Sequence, residues 1–316
     1  MKAMILTASD EYVLDDIAEP KPGPGEVAIR VAYAGLQWGD VLVRQGHFPV
    51  PRPFVSGFEA AGRIVAVGEG VETTRVGEAV ATLTGSGAFA EVVVADARLT
   101  FPVGDFPLRA AAGFGWIVPT AFDLVSTVTR VRPGESVLIH AAAGGVGTVA
   151  AQLARNAGAK RIVGVVGRAE QVAYAERSGY AAVVTEDAFP DAFGGERFDV
   201  ILDPIGGSAR SASLALLAPH GRLVAYGNIA TFDDVSASVN GLLMEGKSIL
   251  TYNSHLLSRT HPERLAASAR AALAHLVRGD IVQDISVEVA LEELASGVER
   301  LAEGKTLGKS VVRVAA

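Results

Sequence analysis

The chain has 316 residues, 49% hydrophobic and 20% charged, a composition typical of a globular protein of roughly two domains and far from that of a disordered chain. Its 28 Lys and Arg against 35 Asp and Glu give a formal net charge of −7 without any basic run, which argues against nucleic acid as a partner. The absence of cysteine excludes disulfides, thiol nucleophiles, Fe–S clusters and thiolate-ligated zinc.

Short β-rich runs separated by Gly and Pro fill the chain up to about residue 105. They lie at 26–34, 61–67, 78–83 and 89–95. Strands of four to eight residues with turn residues between them predict a small, mostly β, barrel-like unit.

From about residue 133 the pattern changes to alternating apolar strands and helices. Strands are predicted at 136–141, 161–166, 181–185, 198–203, 221–226 and 248–252, with helices at 146–157, 169–178 and 208–217. Runs that are apolar on both faces are typical of parallel strands covered by helices, so this part predicts a doubly wound α/β sheet.

The last fifty or so residues return to a mixed pattern, with helices at 262–277 and 291–302 and strands at 285–289 and 310–314. We expect this tail to fold back on the N-terminal unit. No apolar run approaches the ~18 residues of a membrane span, so a soluble, cytoplasmic protein is expected.

A Gly-rich turn follows the strand predicted at 136–141 and opens the helix predicted at 146–157. Its residues are Ala142, Gly144, Gly145, Val146 and Gly147, in the strand–turn–helix context of a dinucleotide site. Gly144 lets the backbone approach a pyrophosphate, Gly147 lets helix and strand pack closely, and the helix N-terminus supplies free N–H groups to the anion. The alternative is a Gly-rich turn without a ligand.

Cofactor choice is decided about 20 residues further on, where an acidic side chain would bind the ribose of NAD. Here no acid stands at the end of the second strand, and Arg168 follows it, with Gln171 three residues later. A guanidinium suits a 2′-phosphate, so we predict NADPH as the cofactor. The alternative is that Arg168 only decorates the start of a helix.

The β-rich unit, the segment 57–71, the block 137–160 and the terminal GKSVVRV together resemble the medium-chain dehydrogenase/reductase superfamily, and within it the zinc-independent, zeta-crystallin-like quinone oxidoreductase group. The resemblance implies a GroES-like catalytic domain at 1–110 and 263–316, a Rossmann domain at 111–262 and an active-site cleft between them. It also implies a homodimer joined through edge strands of the Rossmann domain.

Zinc is not expected, because the ligand positions of the zinc-dependent relatives are changed. Gln37 stands in the region of their first Cys, and Gly57-Phe58-Glu59 replaces their Gly-His-Glu. Phe58 has no atom that binds a metal. The chemistry that is left is hydride transfer to an acceptor already activated by conjugation.

The resemblance places Thr120, Gly227 and Asn228 near the nicotinamide, with Thr120 and Asn228 helping to place the ring. Asn253 also follows the end of a predicted strand, where ligands of parallel sheets bind. Lys309 is similar to a C-terminal Lys or Arg that points at the cofactor phosphates in some relatives.

The acceptor side is predicted to be mostly apolar, with Gln37, Trp38, Leu42, His47 and Phe48 as its wall. Phe48 stands where many enone and enoyl reductases of the superfamily have a Tyr donor. His47 is therefore the candidate acid, with a plain surface histidine or a solvent proton as the alternatives.

These observations predict a metal-free NADPH-dependent oxidoreductase that reduces a quinone or an α,β-unsaturated carbonyl. One alternative is a biosynthetic enoyl or enone reductase, or a reductive cyclase, with a single dedicated intermediate. Another is a non-catalytic NADPH-binding sensor or crystallin-like protein. Small conjugated molecules, rather than nucleic acid or membrane, are the expected partners.

Overall fold

The computed structural model describes residues 1–314 and divides into two compact units. Unit 1 comprises Met1–Pro119 and the chain from Ser258 onward, and unit 2 comprises Thr120–Leu257. The sequence predicts the corresponding boundaries at 110/111 and 262/263.

The strands are β1 Lys2–Leu6, β2 Tyr12–Asp16, β3 Glu26–Leu36, β4 Phe54–Val55, β5 Glu59–Val67, β6 Ala79–Leu83, β7 Val92–Asp96, β8 Thr100–Pro102, β9 Ser136–His140, β10 Arg161–Val166, β11 Ala182–Thr185, β12 Phe198–Asp203, β13 Leu217–Ala225, β14 Ser248–Thr251, β15 Ile285–Ala290 and β16 Lys309–Arg313. The α-helices are α1 Trp38–Arg44, α2 Leu108–Ala112, α3 Ile117–Phe122, α4 Gly145–Asn156, α5 Val172–Glu176, α6 Gly207–Ala215, α7 Val239–Glu245, α8 Ser254–Thr260, α9 Pro262–Val277 and α10 Leu294–Ala302, and a π-helix spans Asp123–Val128.

Unit 1 is built around a mixed sheet in the order β15-β16-β3-β5-β6-β8, with β7 also paired to β3 and a smaller sheet β2-β1-β4. The long strand β3 buries Val27, Ile29 and Val31 while Arg30 is exposed, the alternation of a sheet with one face in the core. The C-terminal β16 pairs antiparallel with β3, so that Ser310 lies opposite Leu36. This pairing brings the two ends of the chain into one core.

Unit 2 contains a six-stranded, fully parallel sheet in the order β11-β10-β9-β12-β13-β14. Counted within the unit, this is the order 3-2-1-4-5-6 of a dinucleotide-binding fold. Leu138, Val163 and Ile201 on its central strands are completely buried, as apolar runs of parallel strands require. The predicted fold class, a Rossmann sheet with a GroES-like, mostly β unit, is confirmed.

Several elements depart from their predicted bounds. The strands β1 and β2 and the helix α1 have no counterpart among the predicted elements. The helix predicted at 169–178 is a 3-10 turn, Ala169–Gln171, followed by the short α5. Within the described chain, no helix is both long and apolar enough to cross a lipid bilayer.

Candidate cofactor and acceptor sites

The Gly-rich turn lies at the carboxyl end of β9, the first strand of the parallel sheet. Ala141 turns the chain with φ of +51°, Gly144 is the extended residue before the helix, and α4 begins at Gly145. The first N–H groups of a helix have no partner within it, so the amides of Gly145, Val146 and Gly147 are placed to bind an anion. All five turn residues expected at the cofactor are therefore in one tight loop.

The packing around this turn leaves space only for very small residues. A Cβ at Gly147 would lie 2.5 Å from the carbonyl oxygen of Ala141, and one at Gly164 would lie 2.7 Å from the Cβ of Ala142. The hydroxyl of Tyr180 donates to the carbonyl of Gly147 at 2.8 Å and holds the first turn of α4 in place. These close approaches are those that a dinucleotide turn needs, so the residues present fit a bound pyrophosphate.

At the end of β10, Arg168 and Gln171 are neighbours. The side-chain oxygen of Gln171 accepts the backbone N–H of Arg168 at 3.2 Å, which fixes the start of the short turn that follows. The guanidinium of Arg168 is partly exposed and lies 3.7 Å from the carboxylate of Glu170. Burial raises the pKa of the nearby strand-end carboxyl, Glu186. Arg168 therefore follows the end of β10 directly, and Gln171 binds the backbone of Arg168. The contact of either side chain with a 2′-phosphate stays a prediction.

A network that the sequence did not indicate holds Gly227 and Asn228 after β13. Asp203, completely buried at the end of β12, accepts the Nε–H of Arg210 at 2.6 Å. The two terminal nitrogens of Arg210 donate to the carbonyl of Gly227 at 2.6 Å and to Oδ1 of Asn228 at 3.2 Å. The sequence does contain a signal for this network: an acid, Asp203, ends an apolar strand, and Arg210 follows about one turn into the next helix. The network orients the Asn228 amide.

Thr120 lies in α3, one helix turn before Asp123. The carboxylate of Asp123 accepts the hydroxyl of Tyr252 at 2.7 Å, which ties this helix to the carboxyl end of β14. The side chain of Asn253 accepts the N–H of Leu256 at 2.9 Å at the start of α8. Asn253 therefore has a helix-capping role, and its contact with a cofactor stays a prediction.

In unit 1, Gln37 and Leu42 belong to the α1 segment, and Trp38 packs its ring against the barrel core. A Cβ at Gly39 would lie 3.6 Å from Nε2 of Gln37 and 3.7 Å from the ring of Phe58, so these two side chains share one small space. The buried Nε2 of Gln37 has no hydrogen-bond partner, and neither has the buried Nε1 of Trp38. Unused donors in such a place can bind a carbonyl oxygen of a ligand.

His47 and Phe48 lie in the turn after α1 and are exposed. The backbone N–H of Phe48 donates to the carbonyl of Leu42 at 3.2 Å, so the turn folds back on its helix. The role of His47 as a proton donor stays a prediction.

Lys309 takes part in a buried ion pair of unit 1. Its side chain is 2% exposed and forms an ion pair with Glu59, which is completely buried, and its ammonium also donates to the carbonyl of Leu36 at 2.9 Å. These partners bury the ammonium inside unit 1, and its contact with a cofactor phosphate stays a prediction. Within residues 1–314, no group of three His, Asp or Glu side chains is arranged to hold a metal ion.

Comparison with known proteins finds two family models in the chain. The family model of the alcohol dehydrogenase GroES-like domain matches residues 23–105, and that of zinc-binding dehydrogenases matches 145–270. A quinone oxidoreductase of Pseudomonas aeruginosa is 33% identical over 94% of this chain and 94% of its own length.

Two further relatives extend the comparison. The Escherichia coli quinone oxidoreductase, solved in complex with NADPH, superimposes with a TM-score of 0.86 at 25% identity and covers 99% of both chains. A phthioceranic/hydroxyphthioceranic acid synthase of Mycobacterium tuberculosis is 30% identical over 99% of this chain, which spans 15% of that much longer protein.

Proposed function

The chain belongs to the medium-chain dehydrogenase/reductase superfamily, in its quinone oxidoreductase group, and from this premise we propose that it is an NADPH-dependent oxidoreductase that reduces a quinone or an α,β-unsaturated carbonyl. The observation that carries the proposal is the tight turn 142–147 at the carboxyl end of the first strand of a 3-2-1-4-5-6 sheet. That turn is the pyrophosphate site of dinucleotide-binding folds.

The residues of unit 2 would hold the cofactor. The amides of Gly145, Val146 and Gly147 would bind its pyrophosphate, and Arg168 would bind the 2′-phosphate. Arg210 holds the amide of Asn228, at the strand end where the nicotinamide is expected. When bound, NADPH supplies a hydride from C4 of the nicotinamide.

The residues of unit 1 would bind and polarise the acceptor. The buried Nε2 of Gln37 has no hydrogen-bond partner and lies near the ring of Phe58, so it would be the donor to an acceptor carbonyl oxygen. Because a quinone or enone gains negative charge on that oxygen as it accepts hydride, a fixed donor there favours the reaction. His47, or water at the exposed turn 45–49, would supply the proton.

The cofactor assignment is tested on Arg168→Ala, with Arg161→Ala at the opposite end of β10 as the matched control. Loss of a charge-assisted contact with the 2′-phosphate should raise the KM for NADPH by about tenfold or more and leave the KM for NADH within about twofold. Arg161 is paired with Glu196, and its removal should change neither value. An unchanged ratio in Arg168→Ala would refute the role of Arg168.

The activity itself is tested by following NADPH oxidation with a panel of quinones and small enones. A second candidate function, reduction of one dedicated enoyl intermediate, is favoured by the match to a segment of the mycobacterial synthase. It predicts turnover of 2-enoyl thioesters in preference to quinones. Tight NADPH binding without oxidation by either class would support the sensor alternative.

We also propose that two copies associate through unit 2. The strand β14 is the last of its sheet, and Val239, Leu243 and Met244 on the neighbouring α7 are 74–84% exposed. An open sheet edge beside exposed apolar side chains is typical of an interface between subunits. In sedimentation velocity, Leu243→Glu/Met244→Glu should yield monomers, whereas Val277→Glu on the exposed face of α9 should not. The cytoplasmic location stays a prediction.

A further inference from the structure

The acceptor side of unit 1 contains a buried ion pair that the proposed reaction does not use. Glu59 and Lys309 are 250 residues apart in the sequence, and both side chains are almost completely enclosed. Asp40, also completely buried, is electrostatically coupled to both of them. Three ionisable groups in an apolar core are costly unless each has partners, so their partners indicate what they do.

Each carboxyl group of this cluster holds the backbone of a segment that carries or adjoins a predicted acceptor residue. Asp40 accepts the N–H of Gln37 at 3.0 Å and that of Gly57 at 3.2 Å. Glu59 accepts the N–H of Trp116 at 2.8 Å, and the indole of Trp116 donates to the carbonyl of Phe58 at 2.6 Å. The cluster therefore connects the segments around Gln37, Phe58 and Trp116.

Glycines in the surrounding backbone leave room for the side chains of Glu59 and Lys309. A Cβ at Gly35 would lie 2.5 Å from the carboxylate of Glu59, and one at Gly115 would lie 2.4 Å from it. A Cβ at Gly113 would lie 3.1 Å from Cγ of Lys309. Three glycines from two segments thus leave the space that the two charged side chains occupy.

Stability alone does not explain such a pair. Replacing a buried ion pair by well-packed apolar residues is often neutral or stabilising, because desolvation offsets much of the attraction between the charges. The hydrogen bonds of the pair, by contrast, have directions and fix the backbone to which they are made.

We infer that the Glu59–Lys309 pair, together with Asp40, positions the acceptor-binding residues Gln37 and Phe58 in the absence of metal-ligand side chains at 37 and 58. The inference rests on the proposed function for its substrate. The ion pair does not touch the acceptor; it keeps the unpaired amide of Gln37 and the ring of Phe58 in one geometry. Positioning residues of this kind affect acceptor binding more than cofactor binding.

Three variants separate positioning from stability. Lys309→Met removes the cation. Glu59→Leu/Lys309→Met, the apolar pair, replaces both charged residues by apolar side chains of similar size. The protein should then stay folded without the directed hydrogen bonds. Glu59→Gln/Lys309→Met, the amide pair, carries no charge at either position but keeps a side-chain oxygen that can accept the backbone N–H of Trp116. Lys305→Met, an exposed lysine paired with Glu303 in the same segment, is the matched control.

With the protein at a temperature well below unfolding, Lys309→Met and the apolar pair should raise the KM for the quinone by about tenfold or more, while the KM for NADPH stays within about twofold. The amide pair should restore the quinone KM to within about threefold of wild type, and Lys305→Met should change neither value. An apolar pair with a wild-type quinone KM would overturn the inference, and so would a parallel loss of NADPH binding.

A spectroscopic measurement tests the inference even if the protein reduces no quinone. The chain contains two tryptophans, so Trp38→Phe leaves Trp116 as the only one; its backbone N–H donates to Glu59 and its indole N–H to the carbonyl of Phe58. In that background, acrylamide should quench Trp116 more efficiently in the apolar pair than in the amide pair. Equal quenching in both would refute the positioning role, whereas absent quinone reduction alone would refute only the proposed function.

Discussion

Each unit contains an ion pair whose carboxylate is completely buried, but the two pairs are used differently. In unit 2 the pair Asp203–Arg210 lies at the end of β12, the arginine keeps 15% of its side chain exposed, and its remaining donors hold the loop of Gly227 and Asn228. In unit 1 the pair Glu59–Lys309 is enclosed on all sides by segments of the barrel. The partly exposed pair therefore holds a loop at the end of the sheet, whereas the enclosed pair holds backbone segments inside the core.

The largest expected difference concerns removal of each cation. Lys309→Met leaves an enclosed carboxylate without its partner and should lower the free energy of unfolding by about 3–5 kcal/mol. Arg210→Met should lower it by less, about 1–3 kcal/mol, because Asp203 also accepts the N–H groups of Ile205 and Gly206. Urea unfolding at neutral pH measures both values. A larger loss in Arg210→Met would contradict the distinction between the two pairs.

A smaller effect on the free energy of unfolding is expected when a glycine of each unit is replaced by alanine. In Gly115→Ala the new Cβ would lie 2.4 Å from the Glu59 side chain, so overpacking should destabilise unit 1 by about 1–3 kcal/mol. In Gly167→Ala in unit 2 the nearest heavy atom is 3.7 Å away, on Gln171, and stability should change by less than about 0.5 kcal/mol. Thermal unfolding of the two variants side by side checks this contrast. Equal melting temperatures would show that the space around Glu59 is not tight.

The smallest net effect is expected from pH, because the titrations of one buried group in each unit have opposite signs and partly cancel. Burial raises the pKa of Asp40 in unit 1 to about 7, and burial lowers the pKa of His140 in unit 2 to about 4. The stability that protonated Asp40 contributes is fully present below its ordinary pKa of 3.8 and is lost as the pH rises through about 7. The stability that neutral His140 contributes is present above its ordinary pKa of 6.5 and is lost as the pH falls through about 4.

These two slopes can be separated by one substitution. Asp40→Asn should remove the decrease in stability near pH 7 and leave the increase between about pH 4 and 6.5 that His140 causes. Urea unfolding across this range, for wild type and variant, gives both slopes. A variant that still loses stability as the pH rises towards neutral would assign that titration to another carboxyl group, with the coupled Glu59 as the first candidate.

Local patterns in the sequence were sufficient to predict the parallel sheet, its Gly-rich turn and the helix that begins at Pro262. The strands 161–166 and 198–203 and the helix 262–277 have the bounds that were predicted, because continuous apolar runs and a Pro at the first helical position act over short distances. The short β1 and β2 and the helix α1 were missed, because their stability depends on neighbours that are distant in the chain.

Individual side chains of the sites depended more on the fold than on the sequence. Trp38 is expected on the acceptor wall, and part of its side chain packs against the barrel core. Asn253 was expected at the cofactor, and it caps α8. In each case the residue type suits two roles, and only the direction of the side chain decides between them.

The sequence by itself determined the class of the fold and the turn that suits a pyrophosphate, since these depend on residue types and short spacings. Only the tertiary structure decided the partner of Lys309, the network around Arg210 and the burial of the charges beside the acceptor residues. The physical reason is distance along the chain. Hydrogen bonds and ion pairs between residues far apart in the sequence form only after the sheet has brought their strands together.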